Sequence, residues 1–289
     1  MDYHPRVSLE IEGYIFSYKL FEALKLVSKT FSQRKAADAL GISHAVLNRR
    51  INEAESKLGY KLVVATGAGS VLTDKGQKIL LRHEKFMKRL KDREKIIICG
   101  GYISSSLLEV MALEYGLDFV VYKTGDKNAL YLAGLDMVDI LTLDDPVNAF
   151  INNLDFIPIA YDHLVLYPNY SHEISELKEL EGKNFLEVID SPQRLAWNTL
   201  DDHKIQYKLS EEVKSPYDAL KYIRNNPHFY TFLSSSLVEG SDILKNDTQH
   251  IISSVICNKE DKRISKFLEF ILTYKGQKIV EKNGFESVR

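Results

Sequence analysis

The sequence predicts an α/β protein in three parts: a short helical unit closed by a hairpin over 1–74, a linker helix over 75–94, and a larger α/β unit over 95–289. Three observations carry this. Short helical patterns with capping residues crowd the first 60 positions and give way to a glycine-rich hairpin. From Lys95 onward, β-branched runs alternate with helical segments. The charge is also unevenly divided: residues 1–95 hold 19 Lys+Arg against 11 Asp+Glu, a balance of +8, and the remainder holds 19 against 29, a balance of −10. That asymmetry points to a polyanionic partner for the first part and repulsion of it by the second.

At 289 residues, 45% hydrophobic and 27% charged, the chain has ordinary globular composition. No apolar run approaches the ~18 residues of a membrane span, and Met1 to Glu10 carries charges where a signal peptide is apolar, so a cytoplasmic protein is expected. Cys99 and Cys257 each lie in a β-branched run and read as buried free thiols. The eight histidines are scattered, with neither HExxH nor GxSxG. No catalytic residue, metal or cofactor is expected.

Val7 to Ile11 alternates as a strand does, and Phe21, Leu24, Val27 and Phe31 follow at helical spacing. Ser32 caps a second helix, Gln33 to Ala39, whose small Ala36 and Ala37 suit a close helix crossing. After Gly41, Ser43 caps a third helix reaching Leu58, with Val46, Leu47, Ile51, Ala54 and Leu58 on its apolar stripe. Its outer face carries His44, Asn48, Arg49 and Asn52, residue types that reach base edges and phosphates from a major groove. Two short apolar runs around Ala65 to Ser70 then form a glycine-tipped hairpin, a wing whose amides and Lys61 can touch phosphates. No Gly-Lys-Ser/Thr follows those glycines, which argues against a nucleotide phosphate loop.

The run FSQRKAADALGISHAVLNRRINEAESKLGYKLV, with TGAGSVLTDKGQKIL after it, resembles the winged helix-turn-helix DNA-binding domain shared by LysR-type and molybdate-responsive ModE regulators. The leading strand and Thr66, Gly67 look more like ModE, whereas Glu55 to Leu62 looks more like LysR. Asp74 to Lys95 reads as one helix with Ile79, Leu80, His83, Phe86, Met87 and Leu90 along one edge. In both families the equivalent helix helps form a dimer, so a homodimer or higher homo-oligomer on double-stranded DNA is implied.

Further on, Lys95 to Cys99, Leu117 to Tyr122 and Val138 to Thr142 read as strands of a parallel sheet with crossover helices. The segments GLDMVDIL, DHLVLYPNYSHEISELKELEGKNF and ISKFLEFILTYKGQKIVEKNGFESV resemble, in order, parts of type 2 periplasmic-binding-like domains. The resemblance implies a two-lobed, periplasmic-binding-protein-like α/β domain, with lobe one at about 95–162 and 254–289 and lobe two at about 163–253. Such domains bind solutes between the lobes, where helix amino termini point amides inward. Candidate ligand positions are Ser104, Ser105, Ser106, Thr124, Gly125 and Thr142 in lobe one. In lobe two they are Ser191, Gln193, Arg194, Ser215, Tyr217 and Ser234 to Ser236, with Ser235 central and a helix expected after it. Each also fits plain helix capping.

These readings combine into a transcriptional regulator whose DNA grip is controlled by a small solute. The neutral donors suit an oxyanion such as molybdate or tungstate, and Arg194 suits a small organic acid as a fork. The alternative is a DNA-binding protein whose C-terminal domain is only a dimer scaffold without ligand. Tyr, Phe and Leu side chains filling the cleft would mark that alternative.

Overall fold

The computed structural model describes residues 6–67, 69–90, 95–168 and 174–288, in two compact units, Met1–Arg93 and Glu94–Arg289. Residue 68 of the expected wing, residues 91–94 of the expected linker and residues 169–173 of the expected lobe crossing lie outside the described residues. Among the described residues, no helix is long and apolar enough to cross a membrane.

The first unit opens with strands β1 (Leu9–Ile11) and β2 (Tyr14–Phe16), paired antiparallel through Glu12 and Gly13, which take φ of 52° and 80°. Two successive positive φ values are what a two-residue hairpin turn needs. The single strand expected over Val7 to Ile11 is thus half of a hairpin. Helix α1 (Tyr18–Thr30) buries Leu20, Phe21, Ala23, Leu24 and Val27. Helix α2 (Gln33–Ala39) is capped by Ser32, whose hydroxyl accepts the Lys35 amide at 3.3 Å. Its Ala36 and Ala37 are completely buried against the neighbouring helices. Helix α3 (His44–Leu58) is capped by Ser43, which accepts the Val46 amide at 3.3 Å, and ends at the left-handed Gly59. Strands β3 (Val63–Thr66) and β4 (Gly69–Leu72) make the wing, and helix α4 (Asp74–Leu90) follows.

Two contacts fix the wing to the helices. The buried Glu55 carboxylate on α3 accepts the Leu62 and Val63 amides at 2.8 and 3.1 Å and the Lys61 ammonium at 2.6 Å. At the other strand, the Ser70 amide donates to the Phe31 carbonyl at 2.9 Å. Gly69 makes that approach possible, because a Cβ there would lie 2.2 Å from the Phe31 oxygen. Its φ of 135° is also one that side chains disfavour.

Helix α4 departs from the partner-seeking edge read in the sequence. Leu80 belongs to the core of this unit, and His83 stacks on Phe21 with ring centroids 4.1 Å apart and planes 9° from parallel. His83 Nε2 also lies 3.2 Å from the Val7 carbonyl oxygen. Three positions of the edge, Ile79, Leu80 and His83, are therefore spent within the unit, while Leu90 stays exposed, as does Leu81 on the same helix.

The second unit has two sheets. In lobe one, β5 (Ile96–Gly100) pairs in parallel with β6 (Phe119–Lys123) on one side and β7 (Ile140–Leu143) on the other. Beyond β7, β13 (His250–Ile256) runs antiparallel to it and to β8 (Ile157–Asp162), closing the order β6-β5-β7-β13-β8. Helix α5 (Tyr102–Tyr115) and helix α11 (Lys262–Ile271) bury Leu108, Met111 and Phe267 against this sheet. Helices α6 (Asp126–Gly134), α7 (Val147–Ile151) and α12 (Tyr274–Lys282) complete the lobe.

Lobe two holds β9 (Leu164–Tyr167), β10 (Asn184–Val188), β11 (Lys208–Val213) and β12 (Phe229–Ser234) in the order β11-β10-β12-β9. Helices α8 (Arg194–Asp202), α9 (Pro216–Asn225) and α10 (Lys245–Thr248) belong to it. Its core is aromatic: Phe185 stacks on Phe232 and meets Trp197 edge-on.

The chain returns to lobe one earlier than the expected residue 254. His250 already pairs with Asp162, the last residue of the outgoing strand, so both crossings sit side by side. The helix expected after Ser236 is also absent; a turn follows β12 there.

Gly69→Ala is expected to strain the wing by ~1–3 kcal/mol and to accelerate hydrogen exchange at the Ser70 amide; unchanged protection would contradict this docking. Burial lowers the pKa of His83 below its ordinary 6.5, so the unfolded chain takes up the proton first. The stability of the first unit should therefore fall as pH drops below 6.5. His83→Phe, which keeps an aromatic ring against Phe21, should remove that acid sensitivity from the protection factors of the α1 amides.

Candidate DNA interface and interlobe cleft

Helix α3 is held from both ends, by the Ser43 cap and by Glu55, and presents His44, Arg49 and Asn52 to solvent. The Arg49 side chain is 70% exposed and lies 3.8 Å from Glu53, too loose a pairing to occupy its guanidinium fork. Asn48 is only half-exposed, with its Oδ1 buried and without a partner among the described residues. The hydroxyl of Ser43 is engaged in capping. Lys61 is exposed, but its ammonium is bound to Glu55, which offsets the charge expected to meet a phosphate. Arg34 and Lys35, exposed in the first turn of α2, were not singled out from the sequence; their adjacency beside the Ser32 cap was the available signal.

In the second unit the lobes meet around a cavity of about 30 Å³, room for roughly one or two waters. Tyr102, Gly125 and Asp144 line it from lobe one, and Asp190, Ser191, Gln193, Phe232 and Ser234 from lobe two. Two ion pairs bridge the lobes. Arg194 donates from Nε and Nη2 to the two oxygens of Asp145, at 2.5 and 2.8 Å, and Lys127 reaches Asp190 at 2.5 Å. These bonds raise the pKa of both cations. Tyr102 also meets Tyr217 edge-on, with centroids 6.2 Å apart.

Of the candidate ligand positions, Gly125, Ser191, Gln193 and Ser234 reach this cavity. Gln193 is consumed internally: its Oε1 accepts the Val188 amide at 2.7 Å, and its Nε2 donates to Thr231 and to the Phe232 carbonyl. Ser191 donates to the Val188 carbonyl at 2.7 Å. Ser104 and Ser105 are wholly buried, because α5 is capped by Gly101 and both serines fall inside its first turns. Ser106 donates to the Tyr102 carbonyl and accepts from Lys123. Thr124 accepts from Asn128, and Thr142, fully buried, donates to the Ser253 carbonyl at 3.1 Å. Ser215 caps α9. Ser235 lies at the lobe crossing, where with Ser236 it donates to the buried Asp162 carboxylate at 2.8 and 2.6 Å.

The residues that dominate the cleft were not anticipated. Asp144 accepts the Ser104 and Ile103 amides at 2.7 and 3.2 Å, so its carboxylate sits on the amino end of α5. Asp126, in turn, accepts the Asp144 and Asp145 amides at 3.2 and 3.0 Å. Burial and the neighbouring Asp144 hold the Asp126 carboxyl well above the usual carboxylate range. Burial raises Asp144 too, opposed by the Ser104 side chain and the Ser104 and Ile103 amides. The Asp144 carboxyl faces the positive end of α5, and the two amides there favour its charged form against the effect of burial. The signal for these acids was the Asp-Asp-Pro run directly after a strand of the expected parallel sheet, at the strand end where such folds place ligands.

Residues 18–77 match the model of the bacterial regulatory helix-turn-helix protein, lysR family. Over 249 residues the chain is 29% identical to an uncharacterized HTH-type transcriptional regulator of Methanocaldococcus jannaschii, covering 82% of this chain and 83% of that protein. Among solved structures, OxyR of Corynebacterium glutamicum (a C206 mutant) aligns over 94% of this chain and 96% of its own, with 15% identity and a TM-score of 0.59. A phosphate ABC transporter substrate-binding protein with bound phosphate, from Clostridium perfringens, aligns over 68% of this chain and 100% of its own, with 16% identity and a TM-score of 0.53. Residues 18–77 thus match a regulatory helix-turn-helix of the lysR family, and the second unit has the two-lobed α/β fold of periplasmic-binding-like domains.

Proposed function

We propose that this chain is a LysR-type transcriptional regulator that reads double-stranded DNA with α3, acts as a homodimer or higher homo-oligomer, and takes a small solute between the lobes of its second unit. The observation that carries the DNA-binding part is a rigidly capped α3 whose outer face keeps His44, Arg49 and Asn52 in solvent while its inner face is buried. Arg49 is suited to a guanine edge and Asn52 to an adenine edge, with Arg34 and Lys35 positioned for the phosphate backbone. The relative named as a regulator and the lysR-family match support the same reading.

Of the two solute classes expected from the sequence, a small organic acid has the better support. Arg194 already holds a carboxylate in its fork, that of Asp145, in the bidentate manner that suits an effector carboxylate. Binding then exchanges one carboxylate for another and requires the lobes to part, since the cavity they enclose is about 30 Å³. A second reading, the ligand-free scaffold, is favoured by one observation: Tyr102, Leu164, Phe232 and Leu233 line that cavity.

Arg49→Ala is expected to weaken binding to a DNA site selected from a random pool by ~1–3 kcal/mol and to relax one base preference. A gel-shift series in which affinity and preference are both unchanged would contradict the assignment of α3. Calorimetry of the full chain against a panel of small organic acids should give binding heat that is lost in Arg194→Ala; silence across the panel favours the scaffold.

A further inference from the structure

The amino end of α5 is the strongest anion-seeking feature of the cleft. The helix is 14 residues long, starts at Tyr102 after the Gly101 cap, and its first residues, Tyr102 and Ile103, line the space between the lobes. A helix terminus of this kind attracts anions through its unpaired N–H groups and its dipole. Here those amides are already engaged. The Asp144 carboxylate accepts from Ile103 and Ser104, and it lines the cavity together with Tyr102. The backbone is shaped around it: a Cβ on Gly101 would lie 2.2 Å from the Asp144 carboxyl carbon. Across the same cavity, Ser234 is 5% exposed and its hydroxyl has no hydrogen-bond partner among the described residues. The cleft thus holds a carboxyl group supplied by the chain and an unspent donor on the opposite wall.

We propose that Asp144 is the specificity-determining residue of the cleft: its carboxylate fills, from within the chain, the position at the amino end of α5 that a free oxyanion would need, and so closes the cleft to oxyanions. The inference rests on the two-lobed reading of the second unit but not on the organic acid proposed above, which engages Arg194 rather than α5. The Ile103 and Ser104 amides are already bonded to Asp144, so a tetrahedral anion could take them only by displacing that side chain. Shortening the side chain at position 144 would empty that place while keeping the amides, Gly101 and Ser234.

The test uses the full chain and inorganic phosphate, followed by calorimetry and by the thermal midpoint, which a ligand of the folded state raises. Wild type is expected to give no binding heat and no shift. Asp144→Ser and Asp144→Ala are expected to bind phosphate and to gain a phosphate-dependent rise in midpoint. Asp144→Asn, which still plugs the position, should behave as wild type. Phosphate binding by wild type would overturn the proposal, and that titration stands even if a shortened variant does not fold. A folded Asp144→Ser or Asp144→Ala that ignores phosphate would overturn it equally. Titration with organic acids is a separate arm, so failure of either idea is read independently.

Discussion

A carboxylate removed from water must be met by donors or it destabilises the fold, and in this chain that constraint falls on its structural junctions. Glu55 is buried where α3 meets the wing and is met by two backbone amides and a lysine. Asp162 is buried where the chain crosses between lobes and is met by the serines that follow β12. Asp144 is buried where the lobes face one another and is met by the amino end of α5. Each of these acids ties together elements that hydrophobic packing alone would leave free to slide, because amide-to-carboxylate bonds are directional and apolar contacts are not.

The consequence for the first unit is that α3 and the wing are preset for the DNA-reading role proposed above. Glu55 anchors the start of β3 to α3, and the Phe31 carbonyl at the end of α1 anchors β4, so both strands of the wing are tied to the helices. In the proposed function, binding DNA would then require little ordering of the backbone, and the side chains proposed to meet bases project from a helix rather than a loop. The second unit works in the opposite sense. Its lobes are joined by two ion pairs: Arg194 holds the buried Asp145 in a two-bond fork, and the exposed Lys127 reaches Asp190, a pairing of modest strength. In the proposed function, such a closure would be exchanged for a solute without dismantling either core.

The local features of the first unit were legible because they rest on local chemistry. Ser32 and Ser43 cap the helices that their positions imply, and the glycine-rich stretch forms the wing. The hairpin partner of β1 was hidden because its turn, Glu12-Gly13, needs a positive φ at a non-glycine residue. In the second unit the strand and helix alternation was legible, while the cleft was not. Ser104 and Ser105 look like ligand donors in a one-dimensional reading, yet capping by Gly101 moves them inside α5 and buries them. The Asp144-Asp145-Pro146 run marks a strand end, but by itself it does not separate a solvent-facing turn from a buried one. Only the tertiary approach of α5 and of Arg194 reveals that both acids are buried and bonded.

The central claim, that α3 is the element that reads DNA, is tested most directly by site-specific photo-crosslinking of the full chain to double-stranded DNA selected from a random pool. With the photoreactive group at Asn52, on the exposed face of α3, adducts should form on bases, and with the group at Leu81, exposed on α4, they should not. Adducts from Leu81 and none from Asn52 would contradict the account.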